Sequence, residues 1–363
     1  MKVAILGSRG IPNRYGGFEE LAEKLAVGLA DLGHEVVVYI PSDHPIKGWQ
    51  HAGVQLIRVF NPEKILGSFG QFVYDFGASV HTRSSNPDVI LQLGYTSSSI
   101  WFWVLPHKAK IITNMDGLEW KRSKYNRLVQ KFLLRAEKWA AKHSHLLIAD
   151  NPEIEKYLHK KYKNQVIHIP YGADIPRSVK HKTLEKYGVE DCKYNLLIAR
   201  MEPENHIEEI LDGVHQSQSE EKILVIGNAN NSFGLKLQAK FRPDKRIVFL
   251  QGIYNKDELN ALRFHSRLYF HGHSVGGTNP SLLEAMACSC FIVAHKNKFN
   301  KSVLSHHAWF FSNAEDVANL IDKTQLASTR ANFLKQNLST IRDKFNWRII
   351  IEQYEIAMQQ SII

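Results

Sequence analysis

The sequence predicts an α/β protein of two parallel-sheet domains facing a cleft, and three observations carry that prediction. Its 363 residues exceed what one hydrophobic core ordinarily supports, so two domains are the default. Short β-rich runs alternate with helix-period segments almost throughout, the rhythm of a parallel sheet covered on both faces. That rhythm breaks once, at a stretch carrying proline and glycine, and then starts again.

The first series has VAIL, EVVVYI, VQLIRVF, VILQLG, AKIIT and HLLIA as its strands. After the first of them, Phe18, Leu21, Leu25, Leu29 and Leu32 form one stripe at helical spacing. The interruption is VIHIPYGADIPRSVKHK, with Pro170, Gly172 and Pro176, and a hinge is expected within 169–174. The second series runs through NLLIAR, KILVIG, RIVFLQG, LYFHG and CFIVA. The chain closes on FNWRIIIEQYEIAM, where Trp347, Ile350, Ile351 and Tyr354 share a helix face. The domains are therefore drawn as residues 1–173 and 174–345. Open α/β sheets bind ligands at the carboxyl ends of their strands, so the loops after strands are where chemistry is expected.

Hydrophobic residues make up 44% and charged residues 23% of the chain, which excludes a disordered polymer. Cys192, Cys288 and Cys290 are too few for a disulfide framework and fit a reducing compartment. Cys288-Ser-Cys290 lacks the spacing of a redox or zinc pair and reads as small residues buried in a helix-to-strand turn. MKVAILGSRG has no long apolar region, so no secretory signal is expected. No run approaches the roughly 18 apolar residues of a membrane span. A cytoplasmic protein follows, soluble or peripheral on the inner face of the cytoplasmic membrane. The net charge of +10 is uneven: from Lys121 to His145 there are eight Lys/Arg and one Glu. Leu128, Phe132, Leu133 and Trp139 stand among those charges at near-helical spacing. A basic amphipathic helix over 121–145 reads as a face for an anionic surface, or as a solvated basic face.

The opening loop SRGIPNRYGGFEE places Gly7, Gly10, Gly16 and Gly17 away from the G-x-G-x-x-G spacing of a dinucleotide site. Glu19, Glu20 and Glu23 follow it; acids there suit the helix dipole and repel a phosphate on the same terminus. Such a loop suits close approach to a sugar. The later stretch HGHSVGGTNPSLLEAMAC differs. Gly276 and Gly277 follow a strand, Asn279-Pro280 reads as an N-cap with proline in the first helical position, and Ser281, Leu282 and Leu283 carry no acid. That terminus can hold a phosphate, with Thr278 beside it and Glu284 one turn in, where a carboxylate can meet a ribose diol. Arg200 ends the NLLIAR strand, and arginine suits diphosphate oxygens. Gly227 ends KILVIG on the same side. Together these describe a nucleotide diphosphate held by the second domain. His271-Gly-His273 finds no third ligand at a useful spacing and reads as loop-lining rather than as a metal site.

These residues carry a resemblance over nearly the whole length. The opening glycine loop, IPYGAD, ARMEPEN, GTNPSLLEAMAC and the closing FNW helix resemble a bacterial glycosyltransferase of the retaining GT-B group, family 4. SRGIPNRYGGFEE is similar to a subgroup of capsule and exopolysaccharide transferases that includes rhamnosyltransferases. The resemblance implies a GT-B fold of two Rossmann-like domains, with the donor nucleotide bound to the second and the acceptor to the first, and a C-terminal helix, 346–363, that packs back on the first. It implies that Glu284 binds the ribose, that Arg200 meets the donor diphosphate, and that Gly16 and Gly17 lie near the transferred sugar. Three positions depart from the pattern. A first glutamate is replaced by Gly276, a lysine by Asn205, and a histidine beside the sugar has Asp116 in its place, in TNMDGLEW. His273, Arg9 and Arg14 are the candidates to make up the lost cation.

The implied reaction moves a hexosyl or deoxyhexosyl group from a nucleotide-diphosphate sugar to a glycan acceptor, lipid-linked, in cell-surface polysaccharide synthesis. It needs no cofactor and no metal, and no nucleic acid is expected as a partner. The membrane surface would be met through 121–145. An NDP-sugar epimerase of similar build and a catalytically inactive GT-B partner subunit stand as alternatives.

Overall fold

The computed structural model describes residues 1–14, 16–323 and 327–363, which form two compact units. The first holds residues 1–121, 125–171 and 347–363, and the second 122–124 and 172–346.

In the first unit eight strands form one sheet: β1 (Lys2–Leu6), β2 (Glu35–Pro41), β3 (Gln50–His51), β4 (Val54–Val59), β5 (Val89–Leu93), β6 (Lys110–Asn114), β7 (Leu146–Ala149) and β8 (Val166–His168). Their order is β3-β4-β2-β1-β5-β6-β7-β8, parallel except where β3 turns back antiparallel on β4. Strands β5 and β7 are buried along their whole length, which is why they read as apolar runs, broken only by Gln92 in β5. The Gly17–Asp31 helix buries Leu21, Leu25 and Leu29; Leu32 falls past its end and is exposed. A Cβ on Gly28 would stand 2.5 Å from Ile351, so glycine there lets the Trp347–Ile362 helix approach closely. That helix is pinned by Asn114 Nδ2 donating to the Tyr354 hydroxyl at 2.8 Å and by His34 against Glu355 at 2.9 Å.

The basic stretch is not one helix over 121–145. Asn126 accepts from the N–H groups of Leu128 and Val129 and starts the helix at Arg127, running to His143. Residues 122–124 pack into the second unit, where Arg122 lies 3.6 Å from Glu204 and Lys124 3.5 Å from Glu202. The helix's acid, Glu137, is buried. It receives Trp120 Nε1, the hydroxyls of Tyr157 and Tyr162, and Lys161 Nζ, a full set of donors for a carboxylate out of water.

In the second unit six parallel strands, β9 (Tyr194–Ile198), β10 (Lys222–Ile226), β11 (Ile247–Leu250), β12 (Leu268–His271), β13 (Ile292–His295) and β14 (Trp309–Phe311), lie in the order β11-β10-β9-β12-β13-β14. Leu197, Val225, Phe270 and Val293 from the central strands pack with Ile210, Leu237 and Val317 in one core. Cys288 and Cys290 are buried free thiols in the turn before β13. No helix among the described residues is long and apolar enough to cross a membrane.

Candidate functional site

Each sheet reverses its winding once. In the second unit the chain leaves β9 toward β10 and β11, and β12 then joins the other side of β9. In the first unit the reversal falls between β1 and β5. Loops at such a point diverge and open a crevice at the carboxyl ends of the strands. ARMEPEN follows β9 and HGHSVGGTNPSLLE follows β12, so both stretches singled out in the second domain meet at its switch point.

Asn205 joins them. Its Nδ2 donates to the Arg200 carbonyl at 2.8 Å, which leaves its Oδ1 to accept from His273 Nδ1 at 2.8 Å. Arg200 itself is exposed. A Cβ on Gly272 would stand 1.8 Å from the Asn205 carbonyl oxygen, so the two loops touch backbone to backbone. Ser274 reinforces the contact, its N–H and hydroxyl both donating to the Glu204 carbonyl. Position 205, where the resemblance expects a lysine, is a neutral bridge.

His273 does not replace the lost charge. Burial, with His271, Arg122 and Arg200 nearby, pushes it down to about 3. Burial and His295 push His271 to about 3 as well. Both rings are neutral donors or acceptors near pH 7. The cations around His273 are Arg200 and Arg122, and no spacing in the sequence ties position 122 to this site. The pH consequence has a definite sign. Below the ordinary histidine value of about 6.5 the unfolded chain binds protons that the folded chain does not. Stability present above that pH is therefore lost as pH falls toward 3. The urea midpoint is expected to be lower at pH 5 than at pH 7.5. His271→Leu, which removes a buried ring nitrogen without a hydrogen-bond partner among the described residues, should retain more of its midpoint at pH 5; an equal loss would show that His271 is not the source.

The helix after the loop begins as its sequence dictates, with Asn279 capping and Pro280 first. The cap uses the N–H groups: Asn279 Oδ1 accepts from Ser281, and the Asn279 carbonyl from Leu282 and Leu283. Leu282 faces the core, and the Ser281 hydroxyl meets the Tyr269 hydroxyl at 2.8 Å. The first helical turn is thus not open for a phosphate. The backbone that remains is the loop before it, where Gly276 and Gly277 take φ of 67° and 76°, a region glycine enters without strain, and Thr278 is buried. Glu284 is paired with the guanidinium of Arg263, which is only 3% exposed. Burial works most strongly against that charge, but Glu284, with Tyr269, Cys288 and Cys290, together outweighs it, so Arg263 titrates above its usual range. Sequence reasoning missed Arg263. Gly227 is explained by packing: a Cβ there would meet the Ala199 carbonyl oxygen at 2.2 Å.

In the first unit, acids fasten the opening loop to the helix behind it. Glu19 Oε1 accepts from the Arg9 N–H at 2.9 Å and Glu23 Oε2 from the Asn13 N–H at 2.9 Å. The Arg9 guanidinium is held by Glu63 at 2.6 Å, which neutralises one candidate cation; Arg14 is exposed. Gly16 caps the helix at φ 121° and Gly17 is its first residue; Tyr15 lies outside the described residues. Asp116, just past β6, sits at φ 51°, an uncommon conformation for a residue with a side chain. Its N–H donates to Asn114 Oδ1. Among the described residues its carboxylate has no hydrogen-bond partner.

Among the described residues one cluster has metal-ligand chemistry, with His206, Glu209 and His295 ligand atoms within 4.8 Å of one another. The two imidazoles stack, centroids 3.8 Å apart and planes 13° from parallel, so their in-plane lone pairs do not converge on one ion. His206 instead bonds Glu209 at 2.8 Å and Ser274 at 3.0 Å.

Two family models divide the chain. Residues 179–337 match glycosyl transferases group 1, and residues 1–174 match a domain of unknown function, DUF1972. No curated protein matches. Solved structures are similar over the whole chain. Sucrose-phosphate synthase from Thermosynechococcus elongatus has a TM-score of 0.82 at 17% identity, covering 99% of this chain and 98% of that one. The Anabaena protein HepE, in complex with UDP and glucose, has 0.76 at 16%, covering 99% and 100%. An E. coli trehalose-6-phosphate protein bound with UDP-2-fluoro glucose has 0.74 at 12%, covering 99% of each. The fold is GT-B, as the resemblance implies. With the group 1 match it supports a GT-B glycosyltransferase.

Proposed function

We propose that this chain transfers a hexosyl or deoxyhexosyl group, such as rhamnosyl, from a nucleotide-diphosphate sugar to a glycan acceptor with retention. The acceptor is lipid-linked and belongs to cell-surface polysaccharide synthesis of the capsule type, at the inner face of the cytoplasmic membrane. The observation that supports this best is the switch point of the second unit. There Arg200, the Asn205–His273 bridge and the Gly276–Thr278 backbone meet, with Glu284 one turn into the next helix. Retaining transfer without a metal asks a protein chiefly to stabilise the departing diphosphate. Arg200 offers a planar fork for its oxygens. The glycine loop offers bare backbone, and Glu284 can accept from the ribose while one oxygen holds Arg263. The first unit takes the acceptor, with Asp116 and the Gly16–Gly17 turn as its reactive-side residues. HepE and the E. coli protein were solved with UDP or a UDP-sugar, which supports the same donor class here.

Thermal melting with UDP, dTDP, GDP and NAD tests the reading. A ligand at 100 times its Kd adds about 2.7 kcal/mol, a rise of several degrees. The expected result is a rise with one nucleoside diphosphate and none with NAD. A rise with NAD alone, or none with any nucleoside diphosphate, would overturn it.

A further inference from the structure

The first unit carries an aromatic surface that its core does not use. Phe69 is 75% and Trp103 66% exposed, with Phe76 and Trp139 also exposed. They come from three elements, the helices Phe69–Ser85, Ser98–Val104 and Arg127–His143, yet they form one network. Phe69 meets Phe72 at 5.7 Å, Phe72 meets Phe132 at 5.9 Å and Phe132 meets Trp139 at 6.4 Å between ring centroids. A second branch joins Phe76 to Trp101 at 4.8 Å and Trp101 to Trp103 at 6.3 Å. Trp101 Nε1 donates to the Phe72 carbonyl at 3.0 Å and ties the branches together. A continuous apolar surface of this kind marks an interaction site.

Charge decides the partner. At 100° per residue, Arg127, Lys131, Arg135, Lys138 and Lys142 of the third helix fall within an arc of about 80°, and all are exposed. Leu128, Phe132 and Trp139 occupy the adjoining arc, on the side of the aromatic network. Glu137, the helix's acid, is buried and already bound by four donors. None of the five cations has an ion-pair partner among the described residues. Two copies of the chain meeting here would set one cationic stripe against another. An anionic bilayer satisfies both parts, with lipid phosphates for the stripe and the headgroup boundary for Trp and Phe.

We infer that this face docks on an anionic lipid bilayer, with Trp103, Trp139 and Phe69 seated at headgroup level beside the cationic stripe. The inference deepens the membrane-side reading above and rests on it for its purpose, while docking itself needs neither donor nor acceptor. The full chain is sedimented with phosphatidylcholine vesicles, with and without phosphatidylglycerol, in the absence of nucleotide. Binding is expected only where phosphatidylglycerol is present. Combined Lys131→Glu, Arg135→Glu and Lys138→Glu should weaken it about a hundredfold. Phe69→Ser with Trp103→Ser should remove the part that survives high salt, where charge is screened. Brominated lipid should quench tryptophan emission of the unaltered chain, a readout that depends on no variant. The replaced side chains are exposed, so the variants should melt with the parent. Failure to bind phosphatidylglycerol vesicles, equal binding by both variants, or dimerisation through this face without vesicle binding would overturn the inference. Nucleotide-dependent melting is unaffected by any of these results, so docking and donor binding fail separately.

Discussion

Glu284→Ala lowers the melting midpoint by about 10 °C before any nucleotide is added. The Arg263 guanidinium is buried, its Nε has no hydrogen-bond partner among the described residues, and its charge is answered by the Glu284 carboxylate. Removing one member of a buried pair typically costs 3–5 kcal/mol, because the other charge is left uncompensated. Glu284 keeps part of its side chain in water, which puts the cost near the lower end, about 3 kcal/mol. At roughly 2–4 °C per kcal/mol for a unit of this size, the shift is large. Glu284→Gln keeps a hydrogen bond and should lose less. Arg263→Leu with Glu284 intact should lose less again, since the remaining carboxylate can turn to solvent. Donor binding is therefore read as the rise above each variant's own unliganded midpoint. Glu284→Ala should show a lower start and no rise with the nucleoside diphosphate that lifts the parent. A lower start with the full rise retained would leave the pair structural and take the ribose from Glu284. An unchanged start would contradict the burial argument.

Gly272→Ala damages the same site from behind. The added methyl would stand 1.8 Å from the Asn205 carbonyl oxygen, a backbone atom with no rotamer by which to move aside. Overpacking of this kind costs about 1–3 kcal/mol, and relieving it displaces Asn205 from both Arg200 and His273. The expected result is a midpoint several degrees lower and nucleoside diphosphate affinity reduced at least tenfold. Asn205→Ala separates the two causes, since it breaks the bridge without the collision. It should lose affinity with a smaller loss of stability. Parent-like affinity in Asn205→Ala would remove the bridge from the donor site.

The fold was legible because most strands are buried on both faces and appear as continuous apolar runs. Strands β3, β8 and β14 were not. Gln50–His51 is a two-residue polar turn-back, Val166–His168 lies inside the join, and Trp309–Phe311 is three residues long. The order of strands is also hidden, since a parallel crossover can place its next strand on either side, and the switch points depend on that order. The site was legible where local geometry dictates residue type. Asn279-Pro280 must cap, and Gly276-Gly277 must turn with positive φ. It was illegible where partners are distant in sequence. Arg263 meets Glu284, Arg122 enters beside Glu204, and Glu63 takes the Arg9 charge. The reading of His273 as a cation failed for a different reason: titration depends on burial, which residue type does not state.

Hydrogen bonding between Asn114 and Tyr354 spans 240 residues and sets an order of assembly. During synthesis the strands of the first unit emerge ahead of everything else. The helix that covers Gly28, His34 and Asn114 is made only after the whole second unit. Nascent chains therefore carry an eight-stranded sheet with one side of its first helix uncovered while the second unit, built of a single run apart from three residues, can already close. The half that begins first finishes last. Until residues 347–363 arrive, its exposed seam is what a chaperone would have to shield.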